Sequence, residues 1–330
     1  MPRRCCQASH ALRIRFEASR FDKRTPGPGQ IGGSLEMELW SSKESCLCDF
    51  TFDFYWQHQG KRLNPDQKVD GYSRREMVDA LRRGESVRIH GDVGSRLGCS
   101  MGVDLMRFGG SGGPVDVGAV IVDGDAGSRL GISMIRGAIY LAGQAQEPLG
   151  NVVEVDSDLT GYRKYVSITD LLAGGPAGLL VPNRLEGGTL MLADGILRET
   201  IAARSASACR VSVMGDAGMS AGILMQDGVL DIDGDCGQNT GVLLRGGRIV
   251  VRGRTGDFTG AEMRGGTILV EGSAGGFACA RMKGGVILAR DGKPVPPARI
   301  SQPSPPEQRL ICTALGLSPI QAMMYRRLGI

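Results

Sequence analysis

A nineteen-residue repeat runs through the sequence from Val211 to Gly292, and it restricts the fold more than any other feature. Four copies follow one another without a gap. Each copy begins with a glycine, has a second glycine three residues later and has a third ten residues after the second. These glycines are Gly215, Gly218 and Gly228; Gly234, Gly237 and Gly247; Gly253, Gly256 and Gly266; and Gly272, Gly275 and Gly285. Such regularity predicts one structural unit per copy.

Three earlier segments are related to the repeat. A complete copy spans residues 124–143. Another copy begins at Gly91 and reaches its closing apolar run, residues 119–123, only after a glycine-rich insertion around residues 109–114, which makes it fourteen residues longer than the standard unit. A partial copy at residues 187–195 has the closing run alone.

The repeat is too short and too rich in glycine for helices. Its longest apolar run has about five residues and alternates with the period of a strand. The register of leucine-rich repeats and the six-residue sub-period of hexapeptide coils are both absent from it. The remaining arrangement winds each unit once around a cylinder, so that residue n lies beside residue n+19 at the ~4.8 Å strand spacing. We therefore predict an all-β fold, a parallel β-helix of the single-stranded β-solenoid type with about nineteen residues per coil.

The composition agrees with such a coil. The chain has 51 glycines among 330 residues, which is roughly double the average share of about 7%. Corners of a coil need a positive φ or a close approach of the neighbouring coil, and glycine meets both requirements without a steric penalty. We predict that Gly256 is a corner where a side chain would meet both the strain of a positive φ and crowding against the adjacent coils. Aspartates that follow a corner glycine, such as Asp216 and Asp235, are predicted to accept backbone N–H bonds as Asx turns do.

Another repeat position is apolar in all four copies and is predicted to point into the narrow interior of the coils. Its residues are Met225, Leu244, Met263 and Met282.

The sequence predicts three parts: an N-terminal α/β flank (residues 1–85), a β-helix repeat domain (86–292) that is interrupted at about residues 144–186, and a proline-rich strap with a helical tail (293–330). In the N-terminal flank, alternating apolar residues predict strands around residues 12–16, 35–39 and 50–56.

Helix signals occur on both sides of the repeats. A capping box of Ser73 and Glu76 predicts a short helix through Leu81. In the tail we expect one helix over residues 307–315 and a second from Ser318 through Arg327. This tail can cap the open end of the coil or dock on a partner, and we slightly favour the cap, because a solenoid must hide its terminal edge.

Charge and hydropathy exclude several classes of protein. The net charge of +4 is too small and too scattered for a nucleic-acid or membrane-binding surface. The chain lacks the apolar run of a signal peptide or a membrane span, so we expect a cytoplasmic protein. Its nine cysteines form no C-x-x-C pair and indicate reduced thiols. Cys46 and Cys48 with His58 lack a fourth ligand at a recognised spacing, so no metal site is predicted.

Only one segment matches a catalytic motif. Residues 98–102 read G-x-S-x-G, the nucleophile-elbow pattern of esterases, with Ser100 as the nucleophile. However, Ser100 falls on a repeat position that Ser133 and Leu224 also occupy, without a strand and helix around it. The acidic run Asp231 to Asp235 suggests calcium, but its carboxylates lie on a strand face rather than in a ligand loop. We therefore predict no catalytic, cofactor-binding or metal-binding residue, and an esterase based on Ser100 remains as a third hypothesis.

The repeat resembles that of a known family. The unit from Gly253 to Gly272 resembles the repeat of the C subunit of formylmethanofuran dehydrogenase and the related GXGXG domain at the C-terminus of the glutamate synthase large subunit. The resemblance extends over about residues 86–143 and 187–292, half of the chain. The residues that carry it are Gly253, Gly256, Gly260, Met263, Gly266 and Gly272.

This resemblance implies a right-handed parallel β-helix that performs no chemistry itself. In the dehydrogenase complex, the formyl group is transferred to or from a furan cofactor by partner subunits, which hold an amidohydrolase-type metal centre and, in archaeal forms, a molybdenum or tungsten pterin. In glutamate synthase, the β-helix is a scaffold between an amidotransferase domain and a synthase domain that carries flavin and iron-sulfur clusters.

The implied function is a structural subunit of a formylmethanofuran dehydrogenase-like or formyltransferase/hydrolase-like complex in one-carbon metabolism. Its expected partners are other enzyme subunits, of the amidohydrolase or flavoprotein type, and no cofactor is expected in this chain. The second hypothesis is the β-helix subunit of a split glutamate synthase-like amidotransferase. A glutaminase active site within this chain is not expected, because a start at Met1-Pro2 provides no N-terminal cysteine nucleophile.

Overall fold

The computed structural model describes residues 36–40, 68–106, 110–175 and 178–330. The strands predicted around residues 12–16 and 50–56 lie outside these residues, and so do Cys46, Cys48 and His58. The described strands are β1 (Glu36–Trp40), β2 (Lys68–Val69), β3 (Tyr72–Ser73), β4 (Ser86–His90), β5 (Ala119–Val122), β6 (Ala138–Leu141), β7 (Val152–Val155), β8 (Arg163–Ser167), β9 (Arg184–Glu186), β10 (Thr189–Leu192), β11 (Arg210–Val213), β12 (Val229–Ile232), β13 (Arg248–Val251), β14 (Thr267–Ser273), β15 (Val286–Asp291), β16 (Arg299–Ser301) and β17 (Arg326–Gly329). The described helices are α1 (Arg74–Arg82), α2 (Ile168–Leu172), α3 (Pro305–Leu315) and α4 (Pro319–Ala322).

The strands from β11 to β15 form a stack of parallel coils. Each strand pairs with the equivalent strand nineteen residues later, so that Ile249 lies beside Ile268 and Ile268 lies beside Ile287. A second column of parallel bridges runs along a corner of the coils, through Ala217, Cys236, Thr255 and Ala274. The predicted β-solenoid is thereby confirmed.

Two columns of apolar side chains fill the interior of these coils. Ile249, Ile268 and Ile287 come from the strands and are fully buried. Met263 and Met282 come from the apolar repeat position, and they belong to the same buried cluster. Each such side chain contributes about 1.5–3 kcal/mol through burial. The prediction that this repeat position points inward is confirmed.

The first interruption of the repeat is a loop within a coil. β4 pairs in parallel with β5, and β5 with β6. The longer copy is accommodated because the chain leaves the coil and returns through an antiparallel bridge between Val103 and Pro114.

The second interruption is a β-hairpin of β7 and β8. β8 pairs antiparallel with β6 and so ends the parallel part of the first sheet. The second sheet begins with β9, which pairs antiparallel with β10. A parallel bridge between Leu149 and Arg198 joins the coils on the two sides of the break. The coils before and after the hairpin therefore belong to one stack.

The corner aspartates accept backbone N–H bonds as predicted, but the donors belong to the next coil and not, as in an Asx turn, to the same turn. Asp216 Oδ1 accepts the N–H of Asp235 at 2.8 Å, and Asp235 Oδ1 accepts the N–H of Arg254 at 2.7 Å. Each acceptor thus binds the residue nineteen positions later rather than a residue in its own turn.

The prediction of a positive φ at Gly256 is wrong, since Gly256 is not among the left-handed residues. Glycine is required there because a Cβ would lie 2.7 Å from the backbone nitrogen of Gln238 in the preceding coil. The left-handed positions of the same coil are Phe258, Gly260 and Glu262, with φ of 62°, 65° and 54°. The side chains of Phe258 and Glu262 show that a positive φ alone does not require glycine in this coil.

Within the described residues, the elements of the flanks agree with the predictions except at the C-terminus. α1 begins with the predicted capping box of Ser73 and Glu76, and α3 ends at Gly316 in the left-handed conformation. α4 ends at Ala322, and the helix predicted through Arg327 is wrong because the chain continues as β17. β17 pairs antiparallel with β15 and β16, so that it satisfies the open edge of the last coil as a tail cap should.

Candidate functional site

A cavity of about 390 Å³ lies where the two interruptions of the repeat meet. One wall is formed by Gly112, Gly113 and Pro114 from the loop in the first long coil, and another by α2, which follows the hairpin. The base is formed by coil residues from 204 to 207 and by their equivalents in the following coils. The cavity is thus built around the non-repetitive parts of the chain.

Buried hydrogen bonds hold α2 against the coils. Asn151 is fully buried, and its Nδ2 donates to Thr169 Oγ1 at 2.8 Å. The Thr169 hydroxyl in turn donates to the backbone oxygen of Ala203 at 2.6 Å. At the other end of α2, Ser207 Oγ donates to the backbone oxygen of Leu172 at 2.8 Å. The wall is therefore fixed at both ends, which favours a preformed site.

Three arginines and one aspartate supply the charge of the cavity. Arg136, Arg204 and Arg245 line it together with Asp170. Arg136 Nη1 lies 2.9 Å from Asp116 Oδ1 and 3.9 Å from Asp170 Oδ1. Among these lining residues the positive charges exceed the negative charge by two. The cavity therefore favours an anion.

The carboxylate of Asp170 is largely withdrawn from water, with 14% of its side chain exposed. This burial raises the pKa of Asp170 above its usual value; the positive charge of Arg136 opposes the rise, and the negative charge of Asp116 adds to it. Asp170 is therefore easier to protonate than an exposed aspartate, and protonation would increase the positive charge of the cavity.

Arg204 orients the loop toward the coil. Its Nη1 donates to the backbone oxygen of Gly112 at 2.8 Å, and its backbone is left-handed with φ 57°. Leu224 lies one coil later and also lines the cavity. With Ile135 and Leu172, Leu224 gives the cavity an apolar part beside its guanidinium groups.

A column of exposed cations continues from the cavity along the coils. It consists of Arg245, Arg264 and Lys283, and we refer to it as the basic column. Arg264 N–H donates to the backbone oxygen of Leu244, and Lys283 N–H to that of Met263, so the three residues lie on successive coils. Within the part of the chain that the structure describes, none of the three forms an ion pair.

Four other cations on the coils are paired with carboxylates of the preceding coil. The pairs are Arg252 with Asp233 at 3.2 Å, Arg254 with Asp235 at 3.6 Å, Arg290 with Glu271 at 3.6 Å and Arg281 with Glu262 at 3.7 Å. The basic column has no such compensation among the described residues. Like charges on neighbouring coils repel one another, and a bound anion would relieve that repulsion.

The sequence-predicted chemical motifs do not form a site. Ser100 is 1% exposed, and its hydroxyl has no hydrogen-bond partner among the described residues. An esterase nucleophile needs an adjacent base, so this arrangement argues against the esterase hypothesis. Asp231 and Asp233 pair with Arg210 and Arg252, in agreement with their interpretation as residues of a strand face.

A second polar cluster lies on the outer face of the first sheet. His90 Nδ1 is 2.7 Å from Asp123 Oδ2, and Asp123 Oδ1 accepts from the hydroxyl of Tyr162 at 2.6 Å and from Arg88 at 3.0 Å. The ring of Trp40 lies against His90, with centroids 4.7 Å apart. The hydrogen bonds connect β4 and the end of β5 to the segment before β8, and the ring contact of Trp40 connects β1 to β4. The cluster fits a structural role, since His90 Nε2 is enclosed.

Sequence reasoning missed the cavity residues. Arg136, Arg204 and Arg245 lie on different coils, and their spacing in the sequence forms no motif. The repeat alignment does contain one usable signal, because it places Arg245, Arg264 and Lys283 at one position directly after the methionine position. No group of three or more metal-ligating side chains occurs among the described residues. The described helices also lack the length and apolarity of a membrane span.

Comparisons with known proteins add little to this geometry. No protein-family model matches the chain. An uncharacterized protein of Methanothermobacter thermautotrophicus is 45% identical over 189 residues, which cover 57% of this chain and 62% of that protein. The match thus spans less than two thirds of that relative's length.

One solved structure is also similar to the chain. It is the formyltransferase/hydrolase complex (FhcABCD) of Methylorubrum extorquens with methylofuran, at 21% identity and a TM-score of 0.30, with 78% of this chain and 71% of that chain covered. At this TM-score the likeness establishes neither a common fold nor a common function.

Proposed function

We propose that this chain is a β-solenoid subunit of a formyltransferase/hydrolase-type complex in one-carbon metabolism, where it supports partner subunits that carry out the chemistry. The observation that carries this proposal is the stack of parallel coils from β11 to β15, built from the repeat that resembles that of formylmethanofuran dehydrogenase. Such a stack offers a long, regular surface on which other subunits can assemble.

An exposed apolar surface near the C-terminus supports a role in an assembly. Ile320, Met323 and Met324 are 79%, 64% and 60% exposed, and they follow one another on and directly after α4. Contiguous exposed apolar side chains typically mark a contact with another protein. In the proposed complex, this surface contacts a partner subunit.

The experiment is purification of the tagged chain from its source organism, followed by mass spectrometry and a formyl-transfer assay. We expect an amidohydrolase-type subunit in stoichiometric amount and formyl transfer by the complex but not by the isolated chain. Ile320→Glu with Met323→Glu should release the partner, whereas Val181→Glu, which changes a side chain that is 93% exposed, should leave the complex intact. A chain that purifies alone under all conditions would contradict the proposal.

The same experiment tests two competing functions. Recovery of a glutaminase or an iron-sulfur flavoprotein instead of an amidohydrolase would favour a split glutamate synthase-like amidotransferase. Ester hydrolysis by the isolated chain that disappears in Ser100→Ala would show that the chain is itself an enzyme.

A further inference from the structure

We infer that the arginine-lined cavity and the basic column form one binding site for a small organic molecule that carries at least two carboxylate or phosphate groups. This inference is independent of the proposed function, because it concerns a ligand of this chain and not its partners. It rests on the position of the cavity, on its unbalanced charge and on the contrast between the basic column and the other charged columns of the coils.

The charge of the site selects the chemistry of the ligand. Guanidinium groups bind carboxylates and phosphates through paired hydrogen bonds. Arg136 is already shared between Asp116 and Asp170, whereas Arg245 has no ion-pair partner among the described residues and lines the cavity at the start of the basic column. A ligand at Arg245 therefore meets an uncompensated positive charge.

The basic column indicates more than one anionic group on the ligand. Arg245, Arg264 and Lys283 lie on successive coils, so the column extends about 10 Å from the cavity at the usual strand spacing. A single carboxylate or phosphate reaches only one end of it. Arg252, Arg254 and Arg290 are paired with carboxylates of the preceding coil, and a ligand with two or more negative groups would give the basic column the same kind of compensation.

The cavity also accepts an uncharged part of the ligand. Its volume of about 390 Å³ falls within the range of small-molecule sites, and Ile135, Leu172 and Leu224 provide apolar contacts. Gln226 adds a side-chain amide that can orient a ligand. These features favour an organic anion over a simple inorganic ion.

The test is isothermal titration of the full chain with citrate and, separately, with tripolyphosphate, at physiological ionic strength. The two probes distinguish carboxylate from phosphate chemistry. We expect saturable binding of at least one probe, with affinity lowered about tenfold in Arg245→Gln and lowered measurably in Arg264→Gln. Arg254→Gln is the matched control, because it removes one exposed positive charge that lies outside the cavity, and it should change the affinity less than twofold.

Three results would overturn the inference. The first is no saturable binding of either probe up to about 10 mM. The second is an equal loss of affinity in Arg245→Gln and Arg254→Gln, which would indicate a general effect of net charge. The third is an unchanged affinity in Arg264→Gln, which would exclude the basic column from the site. Circular dichroism of each variant verifies that the coils remain folded.

Discussion

Replacement of Gly256 by alanine tests whether close approach of neighbouring coils sets the glycine pattern. The added Cβ would lie 2.7 Å from the nitrogen of Gln238, 2.9 Å from the carbonyl carbon of Gly237 and 3.0 Å from Cα of Gln238. Ordinary contacts between such atoms are about 3.5–4.0 Å, so the overlap is several tenths of an ångström or more with three atoms. All three are backbone atoms, which cannot swing away as the end of a side chain can.

The coils must therefore separate locally, against the bond from Gly256 N–H to the backbone oxygen of Cys236 at 2.9 Å. Overpacking of this kind costs about 1–3 kcal/mol, and we expect the upper part of that range. Gly195→Ala is the matched control. Gly195 has φ 74°, and a Cβ added there would have no described atom within 4 Å. The loss of stability in Gly195→Ala is therefore conformational and amounts to about 1–2 kcal/mol.

Equilibrium urea denaturation followed by circular dichroism measures both variants. Asparagine tolerates a left-handed backbone, so Gly195→Asn should recover most of the loss at residue 195. Gly256→Asn should be at least as destabilised as Gly256→Ala, because the cost at residue 256 is steric. If Gly256→Ala loses no more stability than Gly195→Ala, or if asparagine restores stability at residue 256, the argument from close approach fails.

Three further predictions concern the ends and ladders of the coils. Asp235→Ala should lose about 1 kcal/mol of unfolding free energy with the bond to the N–H of Arg254, whereas Asp235→Asn, whose amide oxygen can still accept, should lose less than half of that. Burial alone would raise the pKa of Asp194, but its bonds with buried Arg198 lower the pKa overall. The ionised Asp194 therefore stabilises the folded state at any pH above its unfolded pKa of about 3.9. This stabilisation is lost as the pH falls through the lower folded pKa. Asp194→Asn should therefore cost about 3 kcal/mol at pH 7, and its difference from wild type in urea titrations should shrink below about pH 4, whereas a constant difference would contradict the pairing. Deletion of residues 326–330 should expose the edge of β15 and produce association detectable by light scattering, and a stable monomer after deletion would show that β17 is not the cap.

The sequence predicted the coils well, because their contacts repeat. Each residue of a coil contacts its equivalents in the coils before and after it. One nineteen-residue pattern therefore predicts the pairing register of the strands, the strand itself and the apolar repeat position that points inward. The capping box at Ser73 and the glycine after α3 were equally predictable, since these signals act within one turn of helix. The predictions at Asp235 and Gly256 were wrong only where they applied local turn rules; the crowding of Gly256 by an adjacent coil is confirmed.

The C-terminal strand β17 could not be predicted from its own residues. The segment after Ser318 carries the signals of a helix start, and α4 does begin there. The helix ends early because the open edge of β15 offers backbone hydrogen bonds and because Leu328 becomes fully buried on it. Tertiary pairing thus outweighed a local preference that is worth only a few tenths of a kcal/mol per residue.

By itself, the sequence determined the β-solenoid, its period and the identity of its interior columns, because those depend on neighbours that the repeat specifies. Only the tertiary structure determined the cavity and its charge. The loop at Gly112, helix α2 and the three lining arginines come from separate segments without a repeat or a motif. Buried hydrogen bonds such as that of Asn151 with Thr169 hold these segments together. Such bonds join residues of separate segments, so they produce no periodic pattern in the sequence.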